Sequence, residues 1–177
     1  EVFLVTRMRE AVGTYEARLK DYNAALRCFR VLAELEPDSE DILRAQKRLL
    51  ERAQLWDELA RVLEVEVART TQAEPKLPLL RKLATLHREK RGDRDAAADA
   101  LERMLMLRPD DRAARDALIE DLLAAERFDD VLPLLERKVE EASSKSQKLH
   151  QLREIAALCR DKIGDANRAF AVYERML

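Results

Sequence analysis

The sequence of 177 residues contains few glycines, prolines, cysteines and aromatic residues: it has Gly 3, Pro 5 and Cys 2, and only 5% of its residues are aromatic. With three isolated glycines it holds no glycine-rich phosphate loop. No stretch approaches the roughly 18 consecutive apolar residues that a membrane-spanning helix needs, so no membrane span is predicted. Ala, Leu, Glu and Arg dominate what remains, and this mixture is typical of helices and not of sheets.

Residues for catalysis and metal binding are equally sparse. Cys28 and Cys159 lie far apart in apolar-periodic segments, which favours packed free thiols over a disulfide framework or a zinc site. His87 and His150 each lack a second histidine at ligand spacing, and neither an HExxH nor a GxSxG pattern occurs. The stretch from Asp161 to Asp165 lacks the alternating oxygen ligands and the distal Glu of an EF-hand calcium-binding loop. The sequence therefore predicts no enzyme, no metal and no cofactor.

Charges of the two signs nearly balance, with 33 Lys+Arg against 35 Asp+Glu and a formal net charge of −2. A nucleic-acid-binding chain normally carries a basic excess, so no nucleic-acid partner is expected. The preference for Arg over Lys fits a GC-rich, bacterial genome. The sequence starts at Glu1 without a signal pattern, so the cytoplasm is the favoured compartment; a targeting segment would lie outside these residues.

A repeat of 72 residues runs through the chain. Residues 77–105 and 149–177 are identical at 14 of 29 positions, including the shared ending ERML. The same shift pairs Asp21 with Asp93, Ala25 with Ala97, and Pro37 with Pro109 in the earlier half. The sequence thus contains nearly two and a half copies of one unit.

Each unit divides into two helical hairpins. Leu79, Leu80, Leu83 and Leu86 recur at helical spacing, and they predict a helix from about Leu79 to Lys90. Gly92 breaks this helix, Asp93 caps the next one, and Pro109 ends it. Pro133 is expected to delay or bend its helix. Thr70–Pro75 and Ser143–Gln147 are predicted loops. The hairpins span about 1–36, 37–74, 75–108, 109–146 and 147–177, as a single array that forms a segment of a longer protein.

The odd-numbered hairpins resemble the tetratricopeptide repeat. The small residue that faces the partner helix is Gly13, Thr85 or Ala157, the closest-contact alanine is Ala25, Ala97 or Ala169, and the following large residue is Phe29, Leu101 or Tyr173. The even-numbered hairpins depart from this pattern, with Gln54 and Glu126 at their turns. The resemblance implies an all-α fold, a right-handed superhelix of about ten antiparallel helices in five hairpins, and a scaffold that binds a protein or peptide.

In tetratricopeptide-repeat proteins the first helix of each hairpin lines a concave groove. Carried onto this sequence, the resemblance places the following residues in the groove: Arg7, Glu10, Thr14 and Arg18; Asp41, Arg44, Arg48, Glu51 and Arg52; Lys82, Leu86, Glu89 and Lys90; Asp116, Glu120 and Leu123; Glu154, Leu158 and Asp161. This groove is basic in its first half and acidic or mixed in its second. Asn23 and Asn167 begin second helices, so a carboxylate clamp of the kind that some family members use is not expected.

Alternatives to the groove interpretation remain open. The chain is equally compatible with a structural spacer or self-association segment of a larger multidomain protein, and helical-repeat RNA binding is a weaker third possibility. Arg44, Arg48 and Arg52 lie on one face of a helix and are candidates for binding an acidic or phosphorylated peptide. The local alternative is that nearby carboxylates, such as Asp41 and Glu51, pair with these arginines.

Overall fold

A computed structural model of the chain describes residues 2–15, 21–36 and 39–177. Within this part of the chain there are ten α-helices and no strands. They are α1 (Val2–Thr14), α2 (Tyr22–Leu35), α3 (Glu40–Arg52), α4 (Trp56–Arg69), α5 (Ala73–Leu86), α6 (Arg94–Leu107), α7 (Arg112–Ala124), α8 (Phe128–Glu141), α9 (Lys145–Leu158) and α10 (Ala166–Glu174). The predicted all-helical fold is confirmed.

The chain divides into two compact units, Glu1–Arg69 and Thr70–Leu177. In the first unit, α1 packs against α2, α2 against α3, and α3 against α4. In the second unit, each helix from α5 to α9 packs against the helix that follows it. Successive helices joined by short turns run antiparallel, so both units are built from helical hairpins.

The predicted contact alanines lie in the core. Ala25 and Ala97 are 0% exposed and Ala169 is 3% exposed. The rest of the core consists mainly of leucines from both helices of each hairpin, such as Leu49, Leu63 and Leu83 at 0% exposure. Burying such a side chain contributes roughly 1.5–3 kcal/mol, so the apolar stripes account for most of the packing energy.

Aspartates cap the second helices of the odd-numbered hairpins. The Asp93 carboxylate accepts a hydrogen bond from the Ala96 N–H at 3.0 Å, which confirms the predicted cap. Asp21 and Asp165 cap α2 and α10 in the same way. Asp111 caps α7 in the same way, with its carboxylate accepting from the Ala114 N–H at 3.0 Å. These bonds satisfy N–H groups that a helix start would otherwise leave without partners.

A π-turn follows α5 and α9, the first helices of the third and fifth hairpins. It spans His87–Arg91 after α5 and Cys159–Ile163 after α9, and each is closed by a left-handed glycine, Gly92 or Gly164. Asp93 N donates to His87 O at 3.0 Å, and Asp165 N donates to Cys159 O at 2.9 Å. The π-turn thus recurs after 72 residues in the second unit, and the sequence did not predict it.

The predicted small residue of the hairpin interface needs a correction by one position. Gly13 and Thr85 are exposed and Ala157 is half-buried. The buried positions lie one residue earlier: Val12 at 7%, Ala84 at 3% and Ala156 at 0%. The buried side of these first helices is therefore centred one residue earlier than the resemblance implied.

Two helices begin earlier than the sequence predicted. α5 begins at Ala73 although Pro75 and Pro78 lie in its first two turns. Pro75 is tolerated because the first N–H groups of a helix have no partner inside it. Pro78 is the sixth residue of α5, so it removes the hydrogen bond that its position would make to the carbonyl oxygen of Glu74. α9 begins at Lys145, where the side chain of Ser144 and that of Gln147 form a reciprocal cap. Pro133 does not delay α8, which starts at Phe128.

Candidate functional site

The predicted groove residues fall in both units. In the first unit Arg7, Glu10, Asp41 and Arg44 are exposed and pair within their own helices: Arg7 with Glu10 at 3.2 Å, and Arg44 with Asp41 at 3.2 Å. Arg44 also lies 3.8 Å from Glu40. Local pairing, the alternative that the sequence left open, therefore holds for Arg44. Arg18 lies outside the described residues.

Arg48 has different surroundings from Arg44. It is exposed, and no carboxylate of the described residues lies within ion-pair distance of it. Together with Asp41 it borders a shallow cleft of about 290 Å³ between α1 and α3, whose floor is formed by Phe29 and Leu32 of α2. Arg52 is also exposed but takes part in interactions of its own. The three arginines are thus not equivalent.

In the second unit most of the predicted residues are at the surface. Lys82, Lys90, Asp116, Glu120 and Glu154 are exposed. Leu86, at 6% exposure, is a core residue and does not line a groove. It continues the apolar series of Leu80 and Leu83 along α5, which are also buried. Leu158 is also buried, at 8%, but it borders a cleft.

A buried ion cluster occupies the space between α5 and α7. Asp121 of α7 has 0% exposure. The Arg88 guanidinium donates to it through Nε at 2.9 Å and through Nη2 at 2.6 Å, and Arg94 of α6 donates through Nη1 at 2.6 Å. These hydrogen bonds raise the pKa of Arg88 above its ordinary value. The cluster joins α7 to the hairpin before it.

The sequence analysis missed this cluster, although the repeat contained a signal for it. The 72-residue shift places Asp121 opposite Leu49, which is 0% exposed in the first unit. A carboxylate in place of a core leucine needs partners with hydrogen-bond donors, because an unpaired buried charge is costly. Arg115, 2% exposed, stands opposite Leu43, which is half-buried.

Between α7 and α9 the unit is open, and α8 forms the floor. We call this space the α7–α9 furrow. Its polar end is a cleft of about 370 Å³, lined by Arg112, Arg115, Asp116, Lys138, Glu141, Ala142, Ser143, Gln147 and Gln151. Its apolar end is a cleft of about 400 Å³, lined by Ile119, Leu123, Val131, Leu135, Lys138, Glu154, Ala157, Leu158, Asp161 and Lys162. Lys138 belongs to both, so the two clefts adjoin.

Ion pairs organise the polar end. Arg115 Nη1 donates to Glu141 Oε2 at 2.8 Å, and its Nη2 donates to the Pro109 carbonyl oxygen at 3.1 Å. The hydrogen bond from Arg115 is the main cause that lowers the pKa of Glu141 to about 2. Lys138 Nζ lies 3.0 Å from Asp116 Oδ1 across the floor. These contacts hold the charged side chains in place before any ligand arrives.

One polar atom of the furrow has no hydrogen-bond donor near it. The side-chain oxygen Oε1 of Gln151 is buried, and no described residue donates to it. Buried acceptors are almost always paired in folded proteins, since the lost hydration costs about 1–3 kcal/mol. Gln151 therefore offers an acceptor to an N–H group that enters the polar end.

The apolar end combines an apolar wall with charged margins. Leu123 is 40% exposed, and Leu158 and Ala157 continue its surface on α9. Glu154 lies 3.5 Å from His150 Nε2, and Lys162 lies over the Phe128 ring at 5.8 Å from its centroid. Of the predicted groove residues, the structure thus brings Asp116, Leu123, Glu154, Leu158 and Asp161 together around one furrow.

Within the described residues no group of three or more His, Cys, Asp and Glu side chains is placed to hold a metal ion. His87 is buried at 6%, with Nδ1 2.6 Å from Arg91 Nη1, while His150 is exposed. Cys159 is a buried free thiol whose pKa is raised by that burial, and Cys28 is half-buried.

None of the helices in the described segments is long and apolar enough to cross a membrane.

No protein-family model matches the sequence, and no curated protein matches it. Solved structures with a similar fold include the MamA protein, which is 17% identical, with 100% of this chain and 92% of that chain covered and a TM-score of 0.47. A tetratricopeptide repeat protein from Parabacteroides merdae is 13% identical, with 97% and 78% covered and a TM-score of 0.48. A thermophilic TPR protein in Thermus thermophilus is 18% identical, with 96% and 88% covered and a TM-score of 0.38. The chain is similar to these proteins in being an array of helical hairpins.

Proposed function

We propose that the chain is a protein-interaction module and that the α7–α9 furrow binds an extended segment of a partner protein. The observation that supports this most is the pair of adjoining clefts, one polar and one apolar, that share Lys138. Ligand-binding clefts typically measure about 300–1,000 Å³ and combine apolar walls with a few fixed polar groups. The two clefts together have this composition, since the apolar end supplies the walls and the polar end supplies the fixed polar groups.

The two clefts of the furrow suit a peptide, which presents apolar side chains and polar backbone groups next to each other. An apolar side chain would enter the cleft walled by Leu123 and Leu158, where it removes exposed apolar surface from water. The neighbouring backbone N–H would donate to Oε1 of Gln151, the acceptor that lacks a donor. An extended chain advances about 3.3 Å per residue, so a few residues reach from one cleft to the other.

Charged side chains of both signs line the furrow. Lys138 lies at the junction of the two clefts, and Asp116 and Glu141 share the polar end with Arg112 and Arg115. Both ends contain cations and carboxylates, so the proposal favours a polar peptide of mixed charge over a polyanion. Nucleic acid fits poorly, since its phosphates need a uniformly basic surface.

A random-peptide selection on the immobilised chain tests this function. Dissociation constants of the selected peptides are compared for the wild type, for Leu123→Glu and for the control Met106→Glu, which changes an apolar residue of α6 that is 78% exposed. We expect Leu123→Glu to weaken binding at least about tenfold, because a carboxylate enters the apolar cleft, and Met106→Glu to leave it unchanged. Equal affinity of all three proteins, or no selectable peptide, would overturn the proposal.

A further inference from the structure

Two charged side chains at the apolar end of the furrow have no permanent partner of opposite charge. The side chain of Glu154 is 46% exposed, and among the described residues its carboxylate pairs only with His150, an imidazole that is charged only when protonated. Lys162 is exposed and lies over the Phe128 ring, and no carboxylate in the described part of the chain lies within ion-pair distance of its ammonium group. The apolar end thus offers one free anion and one free cation.

The other charges that line the apolar end are already matched. Asp161 accepts two hydrogen bonds from its neighbour Arg160, from Nε at 2.6 Å and from Nη2 at 2.8 Å. Lys138 Nζ lies 3.0 Å from Asp116 Oδ1. A side chain that is already paired gains little from a ligand charge, because it has to give up the contact that it makes. Charged groups of a bound segment therefore find their strongest attraction at the two unmatched side chains.

The two free charges lie at equal intervals on either side of the apolar wall. Glu154 and Leu158 of α9 and Lys162 of the π-turn after it follow one another every four residues, and all three border the apolar end. Residues four apart lie on the same side of a helix, one turn or about 5.4 Å further along its axis. In an extended peptide every second side chain points to the same side, at steps of about 6.6 Å. An extended segment along α9 therefore presents three alternate side chains to these three residues.

We infer that the segment bound in the furrow carries a basic, an apolar and an acidic residue at alternate positions. This inference rests on the proposed function, the binding of an extended segment in the furrow. The apolar side chain enters between Leu123 and Leu158. The basic side chain pairs with Glu154, on the side of the polar end, and the acidic side chain pairs with Lys162. The two pairs fix which end of the segment lies towards the polar cleft.

Charge reversal on both sides of the contact tests this pattern. The probe is a fluorescently labelled peptide from the random-peptide selection that binds Leu123→Glu more weakly than the wild type. Its dissociation constant is measured, with its basic residue intact or replaced by glutamate, for the wild type and for Glu154→Lys. We expect either reversal alone to weaken binding at least about threefold, since it turns an exposed ion pair into a repulsion, and both together to restore the affinity to within about twofold. Lys162→Glu, with the acidic residue of the peptide replaced by lysine, gives the same result.

The matched control Glu174→Lys reverses an exposed glutamate of α10 that does not line the furrow, and it leaves these dissociation constants unchanged. The substituted residues are exposed, and circular dichroism checks that folding is preserved. If no peptide is selected, or if none responds to Leu123→Glu, the proposed function fails and this inference fails with it. If peptides respond to Leu123→Glu but lack the charge pattern, or if Glu154→Lys and Lys162→Glu leave their affinity unchanged, this inference alone is overturned.

Discussion

Arg88 Nη2 lies 2.6 Å from Oδ2 of Asp121, a carboxylate without any solvent-exposed surface. This pair connects the π-turn after α5 to the last turn of α7. Arg160, the counterpart of Arg88 in the repeat, pairs instead with its neighbour Asp161 at 2.6 Å. The buried carboxylate of Asp121 therefore distinguishes the space between α5 and α7 from the furrow.

Asp121→Ala leaves Arg88 and Arg94 without their shared carboxylate. Removing one partner of a buried ion pair costs about 3–5 kcal/mol. Because the two arginines are 26% and 42% exposed and can turn towards water, we expect a loss of about 2–3 kcal/mol. Urea unfolding measures it. The control Glu120→Ala, at an exposed position next to it, should stay within about 0.5 kcal/mol; equal losses for both variants would contradict the assigned role of Asp121.

Ala97→Arg places a long charged side chain where α5 and α6 approach each other. Ala97 is 0% exposed, so the helices must separate, at a cost of at least about 1–3 kcal/mol. Lys145→Ala, at the exposed start of α9, should change stability by less than about 0.5 kcal/mol. Thermal melting compares the two variants, and identical melting temperatures would refute the register of the hairpin.

Glu141 makes stability depend on pH in the acid range. Its pKa is lowered from 4.5 to about 2, first of all by the hydrogen bond from Arg115. A carboxylate with a depressed folded-state pKa contributes stability above its unfolded pKa and loses it as pH falls through the folded value. We expect melting temperatures to fall between pH 4.5 and about 2, and Glu141→Gln to flatten this decrease. Glu140→Gln, its exposed neighbour, is the control; if it flattens the curve as much, Glu141 is not the responsible group.

Glu126→Gly should stabilise the chain. Glu126 has a φ of 58° in the turn between α7 and α8, and Gln54, its counterpart in the repeat, has 55°. The left-handed conformation costs a residue with a side chain about 1–2 kcal/mol, while glycine adopts it freely but loses more entropy on folding. The expected net gain is about 0.5–1 kcal/mol, visible as a higher melting temperature. As a control, Glu120→Gly, in the middle of α7, should lower the melting temperature. A loss of stability in Glu126→Gly would contradict this account of the turn.

Periodicity and the 72-residue self-match predicted the helices, the aspartate caps and the contact alanines, because each depends on local spacing. They did not predict the π-turn, since a turn with one extra residue leaves the apolar pattern before it unchanged. Asp116, Leu123, Glu154 and Leu158 were predicted for the groove and line the furrow. Lys138 of α8 was not predicted, because which second-helix residue reaches a gap between first helices depends on packing distances that the sequence does not contain. Gln151 lies on the first helix α9 but was not among the predicted groove residues.

The central claim is that the binding face is the furrow of the second unit. Its most direct test measures the dissociation constant of one peptide, selected on the immobilised chain, for three proteins. They are the wild type, Leu123→Glu, and the double variant Arg44→Glu with Arg48→Glu, which reverses the cationic stripe of α3. If the furrow is the binding face, the dissociation constant rises at least about tenfold for Leu123→Glu and is unchanged for the double variant. Helicity and melting temperature are preserved in both variants. If the peptide no longer binds the double variant but binds Leu123→Glu with unchanged affinity, the binding face lies on α3 and the account is contradicted.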